Sequence, residues 1–121
     1  MMKTIVIGGQ IDKKSVAQLA EQYAGAKAKV VIKGDIEAAM DIKSGKADLY
    51  LGACNTGGGG ALAMAIALLG MNLCQTVSMP GKIYSEEEIK QAVKEGKKAF
   101  GFTAQHATQV VPIILRYALE D

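Results

Sequence analysis

Residues 54–60 combine a nucleophilic thiol with a run of backbone amides. A cysteine, an asparagine and a threonine are followed by four consecutive glycines, and an apolar, helix-like segment comes next. Glycines adopt dihedrals closed to other residues and let a ligand approach the backbone closely. Free N–H groups and the positive end of the helix dipole then face the loop. The pattern predicts a site for a phosphate, carboxylate or enediolate formed by Cys54, Asn55, Thr56, Gly57, Gly58, Gly59 and Gly60.

Cys54 has two interpretations. Cysteine pKa values fall at helix N-termini, so the loop would favour a thiolate that serves as a base or nucleophile. Alternatively, the glycines form only a turn and Cys54 is a buried, inert side chain. Thr56 would either cap the helix or bind the ligand.

Two other segments contribute candidates. Gly8, Gly9 and Gln10 follow the first predicted strand and form either part of a ligand site or a tight turn. His106 is the only histidine and suits acid–base catalysis near neutral pH. It follows the fifth predicted strand, which we expect two strands from the third, roughly 9–10 Å away. A direct pair with Cys54 is therefore not expected, and a capping or surface histidine is the alternative.

Composition excludes several classes of function. One histidine and two separated cysteines cannot build a closed zinc shell, and no Walker A lysine follows the glycines, so neither a metal nor another cofactor is expected. Nucleic acid is not an expected partner because the lysines are scattered and Trp is absent. The longest apolar run, residues 61–69, is far shorter than the roughly 20 residues that cross a bilayer. With no signal peptide or disulfide framework in view, we expect a cytoplasmic protein without membrane contacts.

Strand-like and helix-like segments alternate five times. Asp12, Asp35 and Ser85 are the predicted N-caps, and Ser85 with Glu88 forms a capping box. The alternation predicts one α/β domain over residues 1–121, a three-layer α/β/α sandwich with a five-stranded parallel sheet. The predicted strands are residues 4–7, 29–32, 48–53, 73–79 and 99–103.

Strand order determines where a site can form. Lysines flank the second strand and mark it as an edge, so we expect the flavodoxin-like order 2-1-3-4-5. Ligands then bind beyond the carboxyl ends of strands one and three, where the strand order reverses. Both the Gly8-Gly9-Gln10 loop and loop 54–60 lie at this point.

The predicted helix at residues 59–69 is apolar on every side. Such a helix must be covered on more than one face. We expect it to pack on the sheet and also under a neighbouring helix or a second subunit, and we expect a homodimer.

Most of the chain resembles one family. The segment from Gly34 through Gly45 and the run from Tyr50 through Gly57 are similar to the YhfU-like family of small bacterial proteins. Residues 98–101 and the segment around Pro112 also resemble it. The resemblance implies membership of that family, which is one of unknown function.

A second resemblance is local. Residues 44–48, leading to Cys54-x-Thr56-Gly57-x-Gly59, are similar to the third strand and loop of the ribose-5-phosphate isomerase B family. That resemblance implies that Cys54 is the general base and that the amides of Gly57 and Gly59 stabilise an enediolate. The family has an Asp-His pair where this chain has Gly8-Gly9-Gln10. Sugar-transport IIB domains, which are cysteine phosphocarriers, have a similar Cys–Gly loop after their first strand.

Three functions therefore remain open. The first is isomerase-like chemistry on a small phosphorylated or carboxylated metabolite. The second is a non-catalytic metabolite-binding or regulatory module, and the third is a cysteine phosphocarrier.

Overall fold

Strands and helices alternate along the chain. The computed structural model describes residues 2–55 and 59–120, so the predicted site residues Thr56, Gly57 and Gly58 lie outside the described part. The elements are β1 (Lys3–Gly9), α1 (Lys13–Ala24), β2 (Ala28–Ile32), α2 (Asp35–Ser44), β3 (Leu49–Cys54), α3 (Gly59–Leu69), β4 (Cys74–Thr76), β5 (Ser78–Met79), β6 (Lys82–Ile83), α4 (Glu86–Lys94), β7 (Ala99–Thr103) and α5 (Ala107–Ala118).

The main sheet has five parallel strands in the order β2-β1-β3-β7-β4, and β5 and β6 form a small antiparallel hairpin. The predicted α/β fold with a five-stranded parallel sheet is confirmed. The predicted order 2-1-3-4-5 is wrong for its last two strands, because β7 lies between β3 and β4. Every residue of β7 is buried, whereas β4 is short and its Gln75 and Thr76 are half-buried. A short strand with polar side chains suits the edge of a sheet, and an apolar one suits its interior.

Alternation along the strands divides the core into two layers. On one face, Ile5, Ile7, Leu51, Phe100 and Phe102 pack with residues of α1, α4 and α5. On the other face, residues of β1, β3 and β7 pack with α2 and α3, and the members of this smaller cluster include Val6, Tyr50, Ala99, Ala39, Leu62 and Ala65.

Helix α3 is covered on two sides, as its apolar sequence predicts. Leu62 and Ala65 are buried in the core on the sheet, and α2 packs alongside the helix. In the described part of the chain, no helix is both long and apolar enough to span a membrane.

The helix starts test the predicted caps. Ser85 and Glu88 form both bonds of a capping box, as predicted. Asp12 occupies the N-cap position of α1, as predicted, but it has a φ of 54° and its side chain makes no capping bond. The prediction for Asp35 is wrong. Asp35 lies inside the first turn of α2, because Gly34 is the N-cap residue.

Candidate functional site

The carboxyl ends of β1 and β3 meet at the point where the strand order reverses. Gly8 pairs with Gly52 and Gly9 with Ala53 in the parallel ladder. The backbone N–H of Gln10 then donates to the carbonyl of Ala53 over 2.9 Å. The structure therefore brings the Gly8-Gly9-Gln10 loop to the end of the strand that carries Cys54.

Close approach of the two strands accounts for both glycines. A Cβ added to Gly8 would lie 2.6 Å from Cε2 of Tyr50. Gly9 has a φ of +83°, and an added Cβ would lie 2.5 Å from the backbone nitrogen of Ala53. Packing alone thus requires glycine at both positions, and their role in binding a ligand stays a prediction.

Tyr50 is a residue that the sequence reasoning missed. Its side chain is fully buried, and its hydroxyl accepts a hydrogen bond of 3.1 Å from the N–H of Gly9. The same hydroxyl donates to Oδ1 of Asp35 over 3.2 Å. Burial and the neighbouring Asp35 carboxylate raise the pKa of Tyr50 well above its usual range, so the phenol stays protonated and continues to donate. Tyr50 therefore ties the end of β1 to the start of α2.

Cys54 and Thr103 end neighbouring strands side by side. They are partners in the register of β3 and β7. Alternation puts Cys54 on the face of Tyr50, and Thr103 on the face of Ala99, which is the face covered by α2 and α3. Both residues are buried, with exposures of 1% for Cys54 and 4% for Thr103. Thr103, which the sequence reasoning also missed, is thus the nearest polar neighbour of Cys54 across the β3–β7 pair.

The Thr103 hydroxyl is unusual among the buried polar groups. Its Oγ1 has no hydrogen-bond partner in residues 2–55 and 59–120. Buried polar side chains are normally paired, with the protein or with water. The backbone N–H of the same residue is paired and donates to Oγ of the fully buried Ser78 over 2.9 Å.

His106 lies nearer to the Cys54 strand than the sequence predicted. It ends the short 3-10 turn Ala104–His106, which follows β7 directly. Because β7 is the neighbour of β3, only one strand spacing, about 5 Å, separates the two strands. The expected separation of two strands was wrong, since it rested on the wrong strand order. The Nδ1 atom of His106 is buried and has no hydrogen-bond partner within the described ranges.

A row of glycines crosses the sheet just before Cys54 and Thr103. The register aligns Gly8 of β1 with Gly52 of β3, and Gly52 with Gly101 of β7. By alternation, this row faces the layer of α2 and α3. The sheet therefore carries no side chains at three adjacent positions beside the two polar residues.

The described part of loop 54–60 continues from this edge. Asn55 is exposed at a bend after β3. Gly59 and Gly60, two of the predicted amide donors, are the first residues of α3. Helix α3 has 11 residues, which is long enough for a developed dipole, and its N-terminus follows the Cys54 strand as predicted.

Cys74, the second cysteine, is part of the core. It is a free, buried thiol in β4, and burial raises its pKa. The sheet register places Cys74 opposite Ala99, whereas Cys54 lies opposite Thr103. The two thiols thus belong to different parts of the sheet.

The fold of this chain is similar to that of a solved α/β protein. The crystal structure of ribose-5-phosphate isomerase B RpiB from Giardia lamblia superposes with a TM-score of 0.69. The alignment covers 98% of this chain and 87% of that chain, at 20% sequence identity. At that identity the likeness is one of fold.

Sequence comparison identifies the family. The model of the family described as "Protein of unknown function DUF2620" matches residues 3–118. The uncharacterized protein YhfU of Escherichia coli K12 is 39% identical over 116 residues, which cover 96% of this chain and 98% of that protein. YhfU of Shigella flexneri matches equally well. The chain belongs to the DUF2620 family, and the resemblance to YhfU-like proteins is confirmed.

Proposed function

We propose that the chain binds a small phosphorylated or carboxylated metabolite at loop 54–60, and that Cys54 is the base of an isomerase-type proton transfer. The position of Cys54 carries the proposal. It ends a buried strand where the strand order reverses, and the first turn of α3 follows the same loop. The Giardia protein of the same fold is named for an isomerisation of ribose 5-phosphate, so a sugar phosphate is the first ligand to test.

The proton transfer balances without an oxidant or reductant. The Cys54 thiolate takes a proton from the carbon next to a carbonyl, and the electron pair moves onto the carbonyl oxygen as an enediolate. Backbone N–H groups at the start of α3 stabilise the oxyanion. The Cys54 thiol then returns the proton to the adjacent carbon and becomes a thiolate again. His106, in the turn that follows the neighbouring strand β7, is the candidate that moves a proton between the two oxygens.

A non-catalytic binding module is the second candidate function. Cys54 is only 1% exposed, and a buried cysteine is often an inert core residue. In this version the backbone amides of the loop hold the same anion, and no reaction follows. The two functions differ in turnover and share the ligand.

Thermal denaturation with a ligand panel tests the site. The panel contains ribose 5-phosphate, other sugar phosphates, inorganic phosphate, sulfate and small carboxylates. A ligand at a hundred times its Kd stabilises the folded state by about 2.7 kcal/mol, which raises Tm by several degrees. The Gly58→Val variant, which adds a branched side chain to the loop, is expected to remove the shift if the ligand lies there.

Two cysteine variants then separate catalysis from binding. Cys54→Ser is expected to keep the shift and lose turnover, while Cys74→Ser, a matched change of the other buried thiol, keeps both. A shift without turnover in the wild type favours the binding module. Turnover that survives Cys54→Ser contradicts the role of base, and the absence of any shift contradicts the site.

We propose that two copies associate through the outer surface of α2. Ile36 and Met40 lie one turn apart on this helix and are 59% and 43% exposed. Adjacent exposed apolar side chains on one surface are typical of protein interfaces. A monomer mass by light scattering at micromolar concentration contradicts this association.

We propose a reducing compartment, the cytoplasm, as the location of the protein. Cys54 and Cys74 do not form a disulfide with each other. Their partners on β7, Thr103 and Ala99, are four residues apart, which is about 13 Å along a strand and too far for a disulfide. Recovery of the protein in the periplasmic fraction of its host contradicts the proposal.

A further inference from the structure

The hydroxyl of Thr103 is a buried polar group for which the described fold supplies no partner. Thr103 is 4% exposed, and its Oγ1 has no hydrogen-bond partner in the described part of the chain. Leaving a hydroxyl buried and unpaired costs free energy that a valine at the same place would not cost. Valine also suits a β-strand at least as well as threonine does. The hydroxyl therefore has no evident role in folding.

Small residues lie beside Thr103 on its face of the sheet. Cys54 is its register partner on β3, and Gly52 and Gly101 precede the two residues on the same face of the sheet. The Thr103 N–H is held by Ser78, which is fully buried. This bond holds the backbone of Thr103, so its side chain leaves the sheet next to that of Cys54 before any ligand arrives.

We infer that Thr103 is a ligand-binding residue. Its hydroxyl forms a hydrogen bond with a neutral oxygen of the ligand, and this oxygen is adjacent to the ligand group that lies next to Cys54. This inference rests on the proposed function and deepens it. A hydroxyl both donates and accepts a hydrogen bond, so a hydroxyl or carbonyl oxygen of the ligand can pair with it. The ligand class is thus a phosphorylated or carboxylated hydroxy-carbonyl compound, which presents such an oxygen to Thr103, and bare inorganic anions lack it.

The test compares Thr103→Val with Thr103→Ser. Valine keeps the shape and removes the hydroxyl, whereas serine keeps the hydroxyl. Thr4→Val is the matched control, because Thr4 lies near the amino end of β1, whereas Thr103 lies at the carboxyl end of β7. Each variant is melted alone and then titrated with ribose 5-phosphate and with inorganic phosphate.

We expect Thr103→Val to melt at the wild-type temperature or above it, since no described protein hydrogen bond is lost. Its affinity for ribose 5-phosphate falls about tenfold to a hundredfold, the effect of removing one partner of a buried hydrogen bond. Inorganic phosphate binds the variant as it binds the wild type, and Thr103→Ser and Thr4→Val retain the affinity for the sugar phosphate.

Each other outcome overturns a defined part of the reasoning. If Thr103→Val loses several degrees of Tm that Thr4→Val does not lose, the hydroxyl is structural and the inference fails. If Thr103→Val melts normally and binds the sugar phosphate as tightly as the wild type, the inference fails and the proposed function stands. If the wild type binds neither probe nor any other anion of the panel, the proposed function fails and the inference falls with it.

Discussion

Replacement of Gly9 by alanine tests how closely β1 approaches β3. Gly9 combines a φ of +83° with a space that an added Cβ cannot enter, because it would lie 2.5 Å from the nitrogen of Ala53 and 2.8 Å from its carbonyl oxygen. Gly45 is the matched control. Its φ is +84°, but an added Cβ meets nothing within 4 Å. The pair therefore separates the cost of the backbone conformation from the cost of the close approach.

The expected magnitudes follow from these geometries. Gly45→Ala carries only the conformational penalty, about 1 kcal/mol. Gly9→Ala carries the same penalty and also forces β1 away from Ala53, a backbone segment with no flexible end to move. This separation weakens the 2.9 Å bond from the Gln10 N–H to Ala53 and the 3.1 Å bond from the Gly9 N–H to Tyr50. With about 1–2 kcal/mol for each buried bond, the total loss is about 3–5 kcal/mol.

Chemical denaturation of the two variants measures the difference. Small domains are typically stable by about 5–15 kcal/mol, so Gly9→Ala is expected to remove a large share of the native stability, whereas Gly45→Ala loses only about 1 kcal/mol and folds normally. A Gly9→Ala chain that fails to fold beside a folded Gly45→Ala chain agrees with the expectation. Equal losses of free energy in the two variants would refute the close approach of β1 and β3. They would also favour ligand binding, and not packing, as the reason for glycine at position 9.

Two further predictions concern hydrogen bonds that join elements. Tyr50→Phe leaves the buried N–H of Gly9 without its described acceptor, so we expect a loss of about 1–3 kcal/mol in the free energy of unfolding, measured by urea titration. The hydrogen bond from Tyr117, helped by Arg116, lowers the pKa of Glu86, so the stability that this carboxylate adds is present at pH 7 and is lost as the pH falls through that lowered pKa. The difference in stability between the wild type and Glu86→Gln should therefore be largest at neutral pH and shrink in acid, and Glu87→Gln is the control for removing a charge from the same turn of α4.

The fold class was predictable because its signals are local. Short β-branched or apolar runs alternate with amphipathic segments, and glycines separate them, so the parallel sheet and its two helical layers follow from the pattern. The order of the last two strands was also within reach of the sequence. Residues 99–103 have no charged or amide side chain, whereas Gln75 and Thr76 make the shorter strand polar. The difference in polarity between these two strands indicates that β7 lies in the interior of the sheet and β4 at its edge.

The meeting of the β1 and β3 loops at the candidate site was predictable, but the polar contacts around it were not. The reversal of strand order between β1 and β3 needed only the first three strands, which the sequence ordered correctly. Tyr50 was missed because a tyrosine in an apolar strand is read as core, and its partners, Gly9 and Asp35, belong to other elements. The Asp35 cap was mispredicted for the same reason. A carboxylate at a helix start can accept a hydrogen bond from its own helix or from a side chain of another element. Here the Asp35 carboxylate accepts one from the Tyr50 hydroxyl.

The exchanged strand order changes what the proposed site can do. With the predicted order, the strand at residues 73–79 would have lain beside the Cys54 strand, and His106 would have been remote. With β7 next to β3, one edge of the sheet carries Cys54, Thr103 and the turn that ends at His106. Tyr50 and the glycines of β1 hold the other side of β3 rigidly through packing. Variants on the β1 side should therefore act mainly on stability, and variants on the β7 side should act mainly on ligand affinity. A Gly8→Ala or Tyr50→Phe variant that retains its Tm but loses affinity would contradict this division.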